Sequence, residues 1–330
     1  MTIGVVILNW NGVELLKQFL PDVVKFSAEA TVYVADNAST DSSVKYVREH
    51  FPQVKIIQNK INGGYAKGYN DALTHVKEDI FILLNSDVQV TPHWLEGMKE
   101  VFQKDPAVAV VQPKILDYKN PEYFEYAGAA GGFIDRFGYP YCRGRIFSTI
   151  EKDEGQYDDE IEIFWASGAC LAIRKDKFYE AGALDENYFA HQEEIDLCWR
   201  LKNLDYKVIY TSSSVVYHVG GATLNSMHPR KTFYNFRNSL YNLAKNLPSH
   251  QLLWTIFIRM ILDGVAAFMF LLQGKTAHFT AVFRAHIEFY KRLLLLLETR
   301  KKLAKNTGYF SKNSVVCSYF LKGEKKFSQF

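Results

Sequence analysis

The stretch Asp79-Ile80-Phe81-Ile82-Leu83-Leu84-Asn85-Ser86-Asp87 constrains the fold most. Five consecutive apolar residues bounded by polar ones suit a strand buried on both faces of a parallel sheet. Such a strand delivers Asp87 to its carboxyl end, where open α/β sheets bind their ligands. A carboxylate there can hold Mg²⁺ or Mn²⁺ against a diphosphate, or it can simply cap the helix expected from Pro92.

The neighbouring sequence repeats this grammar. Residues 3–8 form a β-rich run ending in Asn9-Trp10-Asn11-Gly12, and Val13, Leu15, Leu16, Phe19 and Leu20 then recur at helical spacing. Residues 31–35 and 54–57 read as further strands, followed by Asp36-Asn37-Ala38-Ser39-Thr40-Asp41 and by Asn62-Gly63-Gly64. Strands alternating with helices imply right-handed crossovers and a parallel sheet, so Asn9, Asn11, Asp36, Asn62 and Asp87 gather at one edge. Asp36, first polar residue after a buried strand, suits acceptance of a hydrogen bond from a base imide N–H; Asp41 or Ser42 suits a helix cap. No GxGxxG and no glycine-rich loop ending in GKS or GKT is present, which excludes a dinucleotide fingerprint and a P-loop.

Residues 113–160, rich in Tyr, Phe and Gly without periodicity, are expected to form a mobile aromatic loop. The turn Ala166-Ser167-Gly168-Ala169 suits either close approach to a ligand or tight packing. Leu197, Leu201 and Leu204 place Glu193, Glu194 and Asp196 in the first turn of a helix, where negative charge suits the dipole and where a solvated start is the ordinary reading. Arg200, four residues after Asp196, suits a structural pair. His218 ends a further strand, before Val219-Gly220-Gly221.

At 330 residues and 48% hydrophobic, the chain can bury a full core. Its net charge of +3 conceals a split: residues 226–330 hold 17 Lys+Arg against 4 Asp+Glu (+13), and residues 1–225 hold 22 against 32 (−10). A basic, apolar, aromatic tail points to an anionic lipid partner rather than to nucleic acid. The first residues lack the features of a signal peptide, and the four separated cysteines fit reduced thiols, so a cytoplasmic location is expected. Residues 252–272 are long enough to span a bilayer of ~30 Å, but Arg259 and Asp263 interrupt them. A helix lying in the membrane interface or packed on the rest of the protein is expected, followed by a basic amphipathic segment over 285–305.

Taken together, the motifs at 5–11, 36–41, 62–70, 84–87, 193–200 and 218–221, with Arg237-Asn238 before Tyr241, resemble the inverting family 2 glycosyltransferases, particularly the bacterial rhamnosyltransferase-like group. The resemblance implies a GT-A fold: an α/β architecture with a Rossmann-like, mostly parallel nucleotide-binding sheet over residues 1–245 and a C-terminal helical appendage over 246–330. It implies a UDP- or dTDP-sugar donor, Mg²⁺ or Mn²⁺, and a glycan or polyprenyl-diphosphate-linked acceptor at the inner face of the cell membrane. Carried over by position, Asp87 and His218 are metal ligands, and Glu194, with Glu193 as the alternative, is the base. Donor contacts fall on Asn9, Asn11, Asp36, Asn62, Gly63, Gly64, Lys67, Asn70, Asn85, Ser86 and Arg237. Asn85 stands where the family carries the first Asp of a DxD motif. A nucleotidyltransferase would show a basic glycine-rich signature after the first strand, which Asn9-Trp10-Asn11-Gly12 is not. An inactive binding module of the same fold would have no need of Asp36, Asp87, Glu194 and His218 together.

Overall fold

The computed structural model describes residues 1–220, 228–306 and 308–330; Gly221 lies outside them. In chain order the elements are β1 (Ile3–Asn9), α1 (Val13–Phe26), β2 (Thr31–Asp36), α2 (Ser43–His50), β3 (Lys55–Gln58), α3 (Gly64–Leu73), β4 (Ile80–Asn85), β5 (Val88–Val90), α4 (Trp94–Lys104) and β6 (Val108–Asp117). There follow β7 (Gly132–Ile134), β8 (Pro140–Cys142), β9 (Arg145–Ile146), β10 (Thr149–Ile150), β11 (Glu160–Ile163), β12 (Cys170–Arg174), α5 (Lys175–Glu180), α6 (Glu193–Asn203) and β13 (Lys207–His218). The chain ends in α7 (Pro229–Asn246), α8 (Ser249–Leu272), α9 (Thr276–Lys301) and α10 (Val315–Phe320).

Among the described residues one nine-stranded sheet runs β11-β13-β6-β12-β4-β1-β2-β3, with β5 paired to β13. The β4-β1-β2-β3 side is parallel, with Leu8 opposite Asn85 and Asn9 opposite Asp36, so the polar strand ends lie level. β12 runs antiparallel between β4 and β6, which brings its start beside the end of β4. The two runs expected over 207–210 and 215–217 are one strand, β13, whose register slips between Thr211 and Val215. That irregularity re-aims the strand so that His218 ends opposite Val88, next to Asp87.

Residues 113–160 are not a mobile loop. β6 continues to Asp117, β7 to β10 form a second, antiparallel sheet in which Tyr141, Cys142 and Ile146 are buried, and Phe124 is buried where it bridges Leu116 of β6. Strands of two or three residues are too short to show a period, so composition alone left them looking irregular. Tight corners replace periodicity: Gly144 has φ +87°, and a Cβ there would meet the Phe124 ring at 2.6 Å.

The C-terminal helices share the main core, since Phe289, Leu296 and Tyr309 belong to the same buried cluster as Leu83, Trp199 and Leu240. α8 is long and apolar enough to cross a membrane by length and composition. Its buried residues, however, are Thr255, Arg259, Asp263 and Ala267, four apart on one stripe that faces the protein. Arg259 donates to the Phe137 carbonyl (2.9 Å) and to Ser239 Oγ (2.8 Å) and pairs with Asp263, which also accepts from Tyr139 and lies 3.2 Å from His286.

Candidate active site

At the end of β1 and β2, Asn9 Nδ2 donates to Asp36 Oδ1 (3.3 Å) and the Ser39 amide donates to Asp36 Oδ2 (3.0 Å). Asn9 Oδ1 is buried without a partner among the described residues. Gly12 lies against it, since a Cβ there would sit 2.5 Å from that oxygen and 3.7 Å from Ser86 Oγ. Asn11, at φ 49°, accepts from the Thr40 amide at 2.7 Å and so pins the loop after Asp36. Asp41 accepts from the amides of Ser43 and Val13, both at 3.0 Å, in the expected capping role.

Asn37 is a hub that the sequence left as a turn residue. Its Nδ2 donates to Asn62 Oδ1 and to the Gly64 carbonyl, both at 3.0 Å, and its Oδ1 accepts from Asn59 at 3.1 Å. Asn62, Gly63 and Gly64 are thereby tied to the Asp36 loop. Gly64 has φ +79°, and a Cβ would strike the Phe189 carbonyl at 2.3 Å; that carbonyl accepts from the Tyr65 amide at 2.7 Å. The glycine therefore lets the loop before α6 dock on the start of α3.

The end of β4 meets the end of β13. Asp87 Oδ1 lies 3.2 Å from His218 Nε2, and Asn85 Nδ2 lies 3.5 Å from the same nitrogen. On the other side of the ring Nδ1 is 3.3 Å from Glu125 Oε1, near enough for charge pairing though misaligned for a hydrogen bond. All three ionisable groups are buried. Burial by itself would depress the imidazole pKa, but Asp87 and Glu125 outweigh it and raise it to about 10. Glu125 comes from the stretch expected to be a loop and carried no sequence signal.

This corner fits a divalent ion. An imidazole set between two carboxylates, Asp87 on one ring nitrogen and Glu125 on the other, is compatible with a metal-bound histidine backed by a carboxylate. Among the described residues no set of three or more His, Cys, Asp or Glu forms a full cage. A two-residue site suits Mg²⁺ or Mn²⁺, which take remaining ligands from phosphates and water.

Glu193 and Glu194 begin α6, Glu193 almost fully buried and Glu194 half-buried. Desolvation raises both pKa values, Glu194 to about 7 and Glu193 well above its ordinary range, with the Glu194 charge adding to the latter. One turn on, Asp196 is held at about 2: burial is outweighed by Arg200 (2.8 Å) and Lys245 (2.9 Å). The expected Asp196–Arg200 pair is thus present, and the first turn of α6 is buried rather than solvated. Both acids add to the rise of the buried Tyr65 pKa; the Tyr65 hydroxyl donates to the Gly168 carbonyl at 2.7 Å, and the Asn85 amide donates to the Ala169 carbonyl. Gly168 and Ser167 are packed tightly against Tyr65 and Gly128.

The loop before α6 has positive φ at Phe189 (65°), His191 (69°) and Gln192 (69°). Arg237 holds it through the Asn187 and Tyr188 carbonyls (3.1 and 2.9 Å), and Asn238 holds the His191 carbonyl (2.7 Å). Three other expected donor contacts are turned to protein partners. Lys67 pairs with Asp71 (2.9 Å) and Glu186 (3.7 Å), and Asn70 clasps the Leu184 peptide through both ends of its amide. Arg237, in the clamp just described, is the third.

A parallel sheet with acidic strand ends, a carboxylate–histidine corner and desolvated acids at a helix start defines a GT-A-like transferase site. The family model for glycosyl transferase family 2 matches residues 4–182, and the chain belongs to that family. It is 26% identical over 233 residues to the N-acetylglucosaminyl-diphospho-decaprenol L-rhamnosyltransferase of Mycobacterium tuberculosis, covering 65% of this chain and 75% of that protein. Its fold is similar to that of S. aureus TarS 1–349 in complex with UDP-GlcNAc (TM-score 0.57, 13% identity, 92% of each chain). It is also similar to GalNAc-T7 with UDP, GalNAc and Mn²⁺ (TM-score 0.58, 15% identity), covering 76% of this chain and 49% of that one.

Proposed function

We propose that this chain is a metal-dependent, inverting glycosyltransferase that moves a sugar from a UDP- or dTDP-sugar to a glycan carried on a polyprenyl diphosphate. The carrying observation is the desolvated acid pair at the start of α6, in the same fold as the Asp87–His218–Glu125 corner at the strand ends. A carboxylate whose pKa is raised to about 7 is poised for general base work at neutral pH. The rhamnosyltransferase relative, named for a diphospho-decaprenol acceptor, supports the acceptor class.

In this reading Asp36 accepts from the imide N–H of the donor base, and the orphan Asn9 Oδ1 offers a second acceptor beside it. Asp87 and His218 would hold the ion, with Asn85 and Ser86 beside them and Glu125 behind the imidazole. When bound, Mg²⁺ or Mn²⁺ would supply counter-charge to the leaving diphosphate. Glu194, the more accessible of the two acids, takes the proton from the acceptor hydroxyl as its oxygen bonds to the anomeric carbon. The bond from that carbon to the diphosphate oxygen breaks on the opposite face, inverting the centre. Arg237 and Asn70 act at one remove, holding the loop that carries the acids.

Residues 1–245 would then be the catalytic unit and 246–330 an appendage that seats it on the cytoplasmic face of the cell membrane. Supporting this, α8 turns Leu253, Trp254, Phe257, Ile261, Val265, Phe268 and Leu272 outward, and α9 adds Phe283, Ile287, Tyr290 and Leu294, all exposed. With Arg259 and Asp263 turned inward, α8 suits lying along a membrane rather than crossing it. The test is release of UDP or dTDP from a panel of sugar donors with Mn²⁺ and a lipid-linked acceptor. Turnover abolished by EDTA and by Asp87→Ala is expected; no turnover with any donor would overturn the reading.

A further inference from the structure

The loop leading into α6 is held in a backbone conformation that ordinary residues avoid. Phe189 has φ 65° and ψ −57°, and across it the Ala190 amide donates to the Tyr188 carbonyl at 2.8 Å. That is a γ-turn of the rare, strained hand, and His191 and Gln192 follow it at φ 69°. Such a backbone persists only where its surroundings hold it from several sides. Much of the holding comes from α7. Arg237 and Asn238 grip the Tyr188 carbonyl (2.9 and 3.3 Å), and the Gln192 side chain donates to the Asn235 carbonyl (3.1 Å) and accepts from Asn242 (3.2 Å). Arg237, Asn238, Asn242 and Gln192 are all buried, so these bonds belong to the core.

A further hold comes from the C-terminal appendage. Arg292, on α9, donates through Nη1 to Asn187 Oδ1 at 2.8 Å. The Asn187 amide group also donates to Asp185 Oδ1 at 2.8 Å, and Lys245 of α7 takes the other Asp185 oxygen at 2.6 Å. The arginine thus closes a chain of contacts that ties α9, the start of the loop and α7 together. Glu288, one turn back on α9, steadies it at 3.3 Å. Asn187 is exposed and Arg292 half-buried, so their bond weighs little on the core and falls on the local stability of the loop. The acids at the start of α6 follow directly on Gln192, and backbone freedom released at Asn187 passes to them.

We propose that Arg292 is a positioning residue for the candidate catalytic acids: through Asn187 it keeps residues 187–192 in the strained form that sets Glu193 and Glu194. The consequence for catalysis rests on the transferase reading above; the hold on the loop is testable without turnover. Amide hydrogen exchange is followed by mass spectrometry on the full chain without ligand, in peptides covering 185–192 and, separately, α6 and α7. Arg292→Ala is expected to speed exchange of the Ala190 amide by roughly 3- to 10-fold, the scale of one hydrogen bond, with α6, α7 and the thermal midpoint unmoved. With a donor that the wild type turns over, kcat should fall by a similar factor while the donor KM holds, and Arg292→Lys should recover part of the loss. In an Asn187→Ala background, Arg292→Ala should add nothing. Unchanged loop exchange in Arg292→Ala would overturn the proposal, as would an effect that persists undiminished in the Asn187→Ala background or a loosened loop with unchanged kcat. Failure of the transferase reading shows separately, as a wild type that turns over no donor while Arg292→Ala still loosens the loop.

Discussion

In α1 the buried residues are Leu16, Phe19, Leu20 and Val23, and the outer face is polar; in α8 they are Thr255, Arg259, Asp263 and Ala267, and the outer face is apolar. The first helix is an ordinary surface helix in water. The second is inside out, a composition that the proposed seating on a membrane accounts for. The same contrast separates the two sets of buried charge. In the tail, Arg259 pairs with Asp263, which also lies 3.2 Å from His286, and Tyr139 and Ser239 complete their hydrogen bonds. At the start of α6, Glu193 is buried and Glu194 half-buried with no cation against them among the described residues, although Asp196, in the same helix, has two. Compensated charge holds structure together; uncompensated charge marks the candidate site on which the proposed function rests.

The largest effect should come from breaking that contrast at the base. Glu194→Gln removes the proton acceptor and is expected to lower kcat by ~10²–10⁴ with donor binding retained. If Glu193→Gln does so instead, the deeper acid is the base. Next comes the tail: Asp263→Ala leaves Arg259 buried without its carboxylate partner and should cost about 3–5 kcal/mol, read as a lower midpoint in urea. Turnover per folded molecule should stay unchanged. Removing residues 250–330 altogether would strip Phe289, Leu296 and Tyr309 from the core, so substitution separates folding from membrane binding where deletion does not. Smaller again, Trp254→Ser and Phe257→Ser should each weaken sedimentation with anionic phospholipid vesicles by about 1.5–3 kcal/mol if the side chain is fully buried in lipid. Neither should lower the thermal midpoint.

The smallest effect is a matter of sign. Glu194 has a folded pKa of about 7, above its ordinary 4.5, so its favourable linkage is full below pH 4.5 and is lost as pH rises through 7. Glu194→Gln should therefore gain in relative stability between pH 4.5 and 8, while wild-type kcat/KM falls as pH drops through about 7. Asp196, held at about 2 against an ordinary 3.8, works in the opposite sense, stabilising above pH 3.8 and failing as pH falls toward 2. A rise in the stability of Asp196→Asn relative to wild type between pH 4 and 2 distinguishes the two acids.

Much of the site was legible because strand ends announce themselves. The apolar run 80–84 stopping at Asn85-Ser86-Asp87, and the run 31–35 stopping at Asp36, put those residues on one edge through the parallel register alone. Glu125 was not legible, because its neighbours lie in strands and turns too short to carry a period. Asn37 looked like any turn residue until its three partners were placed around it. Lys67, Asn70 and Arg237 stood in the right motifs, but their direction depends on partners more than 100 residues apart for Asn70 and about 50 for Arg237.

The sequence by itself determined the alternation of strand and helix, the polar strand ends, the charge split and the reversed composition of α8, because these depend on local periodicity and on which side chains water tolerates. Only the tertiary structure decided that His218 sits between Asp87 and Glu125, that Glu193 and Glu194 lose their water while Asp196 gains two cations, and that Arg292 reaches Asn187. Those facts are set by desolvation and by charge at a few ångströms, and neither quantity exists until segments far apart in the chain are packed together.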